Sequence, residues 1–193
     1  MPPSQDISSR ARNISLVLLD VDGVLTRGDI VYAESNADGA AEGLELKMFS
    51  VRDGSAMRWA LREGLKIGLI TGRTSRVVEC RAEDLDISLL WQGVVDKAAG
   101  FERVLSETKE EPGRIAYMGD DILDLPILTR AGLAACPADA HEEVKSRCHF
   151  VSRFPGGGGA VRELLEEIFK AQGRWERILG RYLRADPEAT KGN

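Results

Sequence analysis

Residues 16–26 read LVLLDVDGVLT, and this segment determines the architecture inferred for the chain. Four apolar residues come first, and two aspartates and a glycine follow closely. A short apolar run that ends in such residues is typical of a buried strand that opens into a loop. The segment therefore predicts a strand with Asp20 and Asp22 at its carboxyl end.

Similar apolar runs recur along the chain and alternate with longer helical patterns. Ser75 and Asp96 are suited to cap two of these helices, and the apolar residues of Gly54–Glu63 fall on one helical stripe. This alternation predicts an α/β fold, a Rossmann-like parallel sheet with helices on both faces. The predicted strands are Ser15–Leu19, Lys66–Thr71, Ser88–Trp91, Arg114–Met118 and Leu133–Ala135, with His149–Ser152 as a sixth candidate.

One segment breaks the alternation. Residues 28–49 read as two extended pieces, Gly28–Tyr32 and Leu44–Phe49, around a polar loop. They predict an inserted β-hairpin, and the chain leaves no room for a large cap domain. The predicted organisation is a polar N-terminal extension, one domain and a C-terminal helix with a tail, at residues 1–13, 14–173 and 174–193.

Composition limits the classes of partner. The chain of 193 residues has 26 Lys and Arg against 31 Asp and Glu, and 43% of it is hydrophobic, as in one ordinary globular domain. The acidic balance argues against nucleic-acid or anionic membrane surfaces, so we expect a small-molecule partner. Cys80, Cys136 and Cys148 form no CxxC pair, and no apolar run reaches membrane-spanning length, which favours a cytoplasmic protein.

The predicted strands deliver polar side chains to one edge of the sheet, where open α/β sheets bind ligands. Carboxylates, a hydroxyl and a lysine meet there, and this set suits magnesium-assisted phosphoryl transfer to an aspartate, because Mg²⁺ prefers hard oxygen ligands. The residues are Asp20, Asp22, Thr71, Gly72, Arg73, Lys97, Asp120, Asp121 and Asp124.

The spacing also suggests individual roles. Asp20 is placed to attack phosphorus, and Asp20 and Asp120 suffice to hold Mg²⁺. Lys97 and the Thr71 hydroxyl are expected to bind the phosphoryl oxygens, whose charge shifts during transfer. Asp22 lies two residues beyond Asp20, and a turn at Gly23 would let it protonate the leaving oxygen. That task requires a raised pKa at Asp22.

Each motif has a plainer interpretation. Asp-x-Asp-x-x-Gly also begins calcium loops, although the residues after Gly23 lack the later carboxylates. GDDILD alone could be an acidic helix start, and Lys97 beside Asp96 a surface pair. Response-regulator receivers combine similar groups, but their contiguous acidic pair follows the first strand, whereas here it comes late.

Three further features are interpreted structurally. His141 and His149 lie eight residues apart without other ligands nearby in the sequence, so no metal role is expected. The run Pro155–Gly159 lacks the GK[ST] of a phosphate loop and is interpreted as a flexible joint. The charged segment Arg174–Arg184 is interpreted as a solvated helix face.

In their order, DVDGVLT, TGR, VVDK and GDDILD resemble the four motifs of the haloacid dehalogenase superfamily of aspartate-nucleophile phosphatases. Three further segments resemble sequences of the small capless branch of this superfamily, which includes the phosphatases of 3-deoxy-D-manno-octulosonate 8-phosphate. They are KMFSVRDGSAM (Lys47 to Met57), QGVVDK and GGGGAVRE. The likeness covers about residues 14–173.

The resemblance implies that Asp20 is the nucleophile and Asp22 the acid/base, with Thr71 and Lys97 as phosphoryl binders. It implies Mg²⁺ held by Asp20, the Asp22 carbonyl and Asp120. It further implies a homotetramer in which the hairpins pack centrally and the C-terminal segment of one subunit covers a neighbouring active site.

The substrate implied is a phosphorylated acidic sugar, 3-deoxy-D-manno-octulosonate 8-phosphate, with a nonulosonate 9-phosphate as the alternative. Arg73 and Arg81 are candidates for binding the sugar carboxylate or the phosphate. Gly158 stands where the branch has an arginine that approaches the neighbour's substrate, and Arg153 or Arg162 could compensate. A noncatalytic oligomerisation or regulatory module is a third interpretation, which the intact Asp20 and Asp22 disfavour.

Overall fold

The computed structural model describes residues 4–30 and 45–183. Its core is a six-stranded parallel sheet in the order β3-β2-β1-β4-β5-β6. All six predicted strands are confirmed to within a residue or two at their ends. They are β1 Leu16–Leu19, β2 Lys66–Ile70, β3 Leu89–Trp91, β4 Ile115–Met118, β5 Leu133–Cys136 and β6 Phe150–Val151.

Helices cover both faces of the sheet, as predicted. Val17 and Leu19 of β1 join one core and Leu16 and Leu18 the other, because successive residues of a strand point to opposite faces. The helices are α1 Ser4–Arg12, α2 Val51–Arg62, α3 Arg76–Asp84, α4 Lys97–Thr108, α5 Leu125–Leu128, α6 Glu142–Lys145, α7 Ala160–Ala171 and α8 Trp175–Leu183, and short 3₁₀ turns span Pro112–Arg114 and Ile122–Asp124.

The predicted helix caps are confirmed. The Ser75 hydroxyl accepts a hydrogen bond from the Val78 amide, and one Asp96 carboxylate oxygen accepts from the amides of Ala98 and Ala99. These bonds satisfy amides that have no partner within their own helix. They fix where α3 and α4 begin, directly above the carboxyl edge of the sheet.

The position of β1 creates the binding edge. Leu19 is in register with Leu69 of β2 on one side and with Met118 of β4 on the other. The chain leaves β1 toward β2 and β3 and later crosses to β4, so the strand order reverses beside β1. Such a switch point opens a crevice at the carboxyl ends of the strands.

The terminal helices pack onto this domain. In α1, Ala11 is fully buried, and the side-chain amide of Gln172 donates to the carbonyls of Ala11 and Ile14 at 3.0 and 2.8 Å. In α8, Ile178 is buried in the same core. Both helices therefore extend the domain that the sequence placed at residues 14–173.

Part of the predicted organisation lies outside the described residues. The hairpin predicted at residues 28–49 is described only at its flanks, where Leu46 forms a single β-bridge. The tail after Leu183 is likewise outside. Among the described helices, none combines the length and apolar character needed to cross a membrane.

Candidate active site

Asp20 and Lys97 form the centre of the site. Asp20 directly follows β1 and is only 8% exposed. Lys97 is the first residue of α4, and its Nζ lies 2.7 Å from Asp20 Oδ1. The ammonium also donates to the Ile70 carbonyl and the Tyr117 hydroxyl, both at 3.1 Å. The structure thus brings together two of the predicted residues and excludes a surface role for Lys97.

Asp124 is the second partner of Lys97. One of its carboxylate oxygens lies 3.0 Å from Lys97 Nζ and accepts a hydrogen bond from the Tyr117 hydroxyl. The other oxygen accepts from the amides of Asp120 and Asp121 at 2.9 and 3.2 Å. Asp124 therefore shapes the turn that carries Asp120, which explains why it is 2% exposed.

Three carboxylates converge at this point. Asp20, Asp120 and Asp124 each present an oxygen, and these atoms lie within 4.8 Å of one another. Of the predicted metal ligands, Asp20 and Asp120 belong to this cluster, while the Asp22 carboxylate pairs with Lys47 instead. Asp124, for which the sequence suggested no individual role, completes the cluster.

The electrostatics of the cluster favour a cation. Burial raises the pKa of Asp20 from 3.8 to about 7 although Lys97 opposes the shift. Burial, reinforced by the charges of Asp20 and Asp124, raises the pKa of Asp120 to about 8. Burial alone would lower the pKa of Lys97, but the two carboxylates outweigh it and raise that pKa. Lys97 therefore stays charged, and a further cation would relieve the remaining repulsion.

The predicted turn at Gly23 is present. Gly23 has φ +92°, and a Cβ there would lie 2.1 Å from Asp120 Oδ2. Glycine is required at this position, because a side chain would both strain the backbone and collide with the acidic cluster. Asp22, directly before this turn, pairs with Lys47 from the C-terminal flank of the insert.

The glycine run packs tightly on this turn, which corrects its interpretation as a flexible joint. The Gly157 amide donates to the Val24 carbonyl at 2.9 Å. A Cβ on Gly156 would lie 1.9 Å from the Gly23 carbonyl oxygen. The run needs its glycines because two backbones meet without space for side chains.

Thr71 lies at the same edge, after β2. It is 3% exposed, and its hydroxyl accepts from the Arg73 amide at 3.3 Å. Gly72 and Arg73 follow it and are exposed. The TGR segment thus presents one buried hydroxyl and one exposed arginine, and it directly follows Ile70, whose carbonyl accepts a hydrogen bond from Lys97.

Arg81 is engaged away from this cluster. It forms an ion pair with Asp84 at 2.7 Å, and its guanidinium lies 5.5 Å from the centre of the Phe49 ring. A Cβ on Gly54 would lie 2.4 Å from an Arg81 nitrogen, so α2 and α3 meet closely here. Substrate binding by Arg81 stays a prediction.

A cleft of about 390 Å³ lies beside Gly158, with Arg153 and Arg162 in its wall. Arg153 pairs with Glu163, and Arg162 pairs with Glu166 at 2.6 Å. Both arginines that could compensate for Gly158 therefore already have carboxylate partners. Compensation stays a prediction.

Sequence reasoning missed Lys47 and Tyr117 as parts of the site. Lys47 pairs with Asp22, and Tyr117 joins Lys97 to Asp124. Both lie in segments noted for other reasons, the second extended piece of the predicted hairpin and a buried strand. Neither segment signals that its side chain reaches a distant aspartate.

Three comparisons with known proteins agree. A family model of haloacid dehalogenase-like hydrolases matches residues 86–164. The 3-deoxy-D-manno-octulosonate 8-phosphate phosphatase of Escherichia coli K12 is 40% identical over 93% of this chain and 92% of its own. The crystal structure of that phosphatase from Yersinia pestis has a TM-score of 0.82 at 39% identity, covering 89% of each chain.

A second structure is that of the 3-deoxy-D-manno-octulosonate 8-phosphate phosphatase from Moraxella catarrhalis, which was solved with a magnesium ion, a phosphate ion and KDO. It has a TM-score of 0.86 at 33% identity and covers 93% of this chain and 99% of its own. Fold, acidic edge and relatives together define a hydrolase of the haloacid dehalogenase-like class, as the resemblance implied. The chain belongs, within that class, to the family of the 3-deoxy-D-manno-octulosonate 8-phosphate phosphatases.

Proposed function

We propose that this phosphatase hydrolyses 3-deoxy-D-manno-octulosonate 8-phosphate to the free sugar acid and phosphate. The observation that carries the proposal is the buried Asp20 carboxylate, held by Lys97 beside Asp120 and Asp124. The 40% identity to a phosphatase of this substrate and the KDO-bound relative support the choice of sugar.

The residues present fit Mg²⁺. The cluster offers only oxygen atoms, and its three carboxylates face the single charge of Lys97, while burial and the neighbouring carboxylates raise the pKa of Asp120. Asp20 and Asp120 would hold the ion, with the Asp22 carbonyl as the third protein ligand. When bound, Mg²⁺ neutralises part of the charge on the phosphate ester and on the attacking carboxylate.

Asp20 acts as the nucleophile in the proposed reaction. Its oxygen forms a bond to phosphorus while the bond from phosphorus to the sugar oxygen breaks, which gives an aspartyl phosphate. Lys97 and Thr71 hold phosphoryl oxygens during this transfer. In the second step a water oxygen forms a bond to phosphorus while the bond from phosphorus to the Asp20 oxygen breaks, which regenerates the Asp20 carboxylate and gives inorganic phosphate.

Asp22 moves the protons of both steps. It gives its proton to the departing sugar oxygen and later takes one from the attacking water. Its carboxylate pairs with Lys47, whereas that of Asp20 pairs with Lys97, and Asp20 cannot protonate the leaving oxygen while it is bonded to phosphorus.

Replacing the nucleophile tests the activity itself. Asp20→Asn is expected to lower Mg²⁺-dependent phosphate release by more than about 1,000-fold, with the fold retained by circular dichroism. Asp86→Asn is the matched control, because Asp86 is an exposed aspartate far from the cluster in the sequence. Retained turnover in Asp20→Asn would remove Asp20 from the nucleophile role.

Direct competition between substrates tests the specificity. The octulosonate 8-phosphate and a nonulosonate 9-phosphate are assayed side by side with the wild-type protein. A higher kcat/KM for the octulosonate supports the proposal. Equal values, or no turnover of the octulosonate, would contradict it and favour the nonulosonate or another sugar phosphate.

A cytoplasmic homotetramer completes the proposal. Its support is the likeness to the capless branch, in which neighbouring subunits cover each other's sites. Light scattering of the eluting protein measures the mass in solution. A monomer with full activity would contradict the need for a neighbour.

A further inference from the structure

The C-terminal flank of the insert brings a second lysine to the site. Lys47 forms an ion pair with Asp22, and its side chain is only 3% exposed. Burying a lysine without a partner is costly, so this contact governs where the side chain lies. The two residues are 25 positions apart, and thus the pair joins the end of the insert to the loop after β1.

Lys47 is itself held from the other side. Its Nζ lies 3.5 Å from Glu45 Oε1, and Glu45 Oε2 accepts a hydrogen bond from the Ser75 hydroxyl at 2.7 Å. Ser75 caps α3 four residues after Thr71. A continuous set of polar contacts therefore runs from the N-cap of α3 to Asp22.

The geometry points to Lys47 as the positioning residue for Asp22, an inference that rests on the proposed function. Asp22 follows the acidic strand end at an open turn, and its side chain is 22% exposed. A carboxyl group that serves one atom of the substrate must be held in one orientation. Lys47 contacts Oδ1, which leaves Oδ2 to carry the proton that the sugar oxygen receives.

The two lysines have separate tasks. Lys97 contacts Asp20 and Asp124, whereas the carboxylate partners of Lys47 among the described residues are Asp22 and Glu45. Loss of Lys47 should therefore slow the step in which the sugar oxygen receives its proton. Lys97 would still neutralise charge on the phosphoryl group. That difference separates positioning of Asp22 from a general electrostatic effect.

The test compares leaving groups. With the sugar phosphate, Lys47→Met should lower kcat/KM by about 10- to 100-fold, less than the roughly 100- to 10,000-fold that a general acid itself contributes, because Asp22 is still present. With p-nitrophenyl phosphate, whose leaving group departs without protonation, the loss should be less than about 3-fold. The ratio kcat/KM is used because it reports the steps up to cleavage of the ester.

Three further variants sharpen the result. Lys47→Arg keeps the charge and should recover part of the lost rate. Lys47→Met combined with Asp22→Asn should be no slower than Asp22→Asn alone, since Lys47 acts through Asp22. Lys66→Met removes a lysine paired with Glu110 at the opposite end of the sheet and serves as the control.

The outcomes are distinguishable. An equal loss with both substrates, unchanged rates, or an effect on KM alone for the sugar phosphate would each overturn the role of Lys47. Thermal melting of each variant excludes unfolding as the cause. Absence of phosphate release from the wild-type protein would instead refute the proposed function.

Discussion

Lys97 shows how a single side chain organises the acidic edge. It lies between Asp20 and Asp124 and contacts the Tyr117 hydroxyl, so one charge fixes two carboxylates from different strands. The VVDK motif predicted a phosphoryl-binding lysine near Asp20. It gave no indication of Tyr117, because the pleat of β4 alone decides which core residue reaches the site.

The raised pKa values predict how the metal-free protein responds to pH. In the folded protein the pKa of Asp20 is about 7 and that of Asp120 about 8, so both groups stay protonated below those pH values. In the unfolded chain both groups have the ordinary pKa of 3.8. Stability falls with rising pH wherever the folded state binds more protons. These two groups therefore lower the free energy of unfolding between about pH 4 and about pH 8.

Thermal melting in EDTA and in Mg²⁺ measures this dependence. The stabilisation by Mg²⁺ should grow as pH rises, because the ion binds deprotonated carboxylates. Asp120→Asn removes one of the two raised groups and should flatten the curve recorded in EDTA. Stabilisation by Mg²⁺ that shrinks toward pH 8 would contradict the assignment of the cluster.

At the scale of elements, the strands were predictable because each is a short apolar run with polar ends, and the caps were predictable from Ser75 and Asp96. Helix α1 was not predictable, since its sequence is mostly polar. It packs on the domain because Ala11 is buried against α7. The glycine run was misread for the same reason. Glycine is needed at Gly156 because its backbone packs against Gly23, which lies more than 130 residues earlier in the sequence.

That contact predicts a strong effect of one methyl group. Gly156→Ala places a Cβ 1.9 Å from the Gly23 carbonyl oxygen, so the loop that carries Asp22 must shift. We expect a lower melting temperature and a lower kcat/KM. Gly180→Ala is the matched control, because a Cβ there meets open space in α8 and should stabilise the helix by about 0.5–1 kcal/mol. Equal behaviour of the two variants would contradict the packing argument.

Across the whole molecule, the sequence located the edge of the sheet that holds the site but not the contacts that close the chain around it. Asp20, Thr71, Lys97 and Asp120 follow predicted strands or caps, and topology brings such positions together. Lys47 reaches the site from the end of the insert, and Glu63 pairs with residues of α8 more than 100 positions later. Local sequence patterns do not indicate which distant residues form such ion pairs.

The Glu63 pairs predict how strongly α8 is attached. The Glu63 carboxylate is fully buried and pairs with Arg177 and with Arg181, the latter at 2.7 Å. Glu63→Gln should lower the free energy of unfolding in urea by about 1–3 kcal/mol, as expected for buried bonds to charged groups. Glu167→Gln breaks the exposed pair with Lys170 and should cost less than about 1 kcal/mol. Equal losses would show that α8 is held by apolar packing alone.

The contact between Gly156 and the Gly23 loop has a consequence for biosynthesis. A nascent chain can complete β1 and display Asp20 early, yet Gly156, which supports the Asp22 turn, is translated more than 130 residues after Gly23. Ribosome-bound intermediates that end before Gly156 should thus lack a finished acid/base loop. We expect competence for hydrolysis only once the glycine run has emerged and packed on this turn.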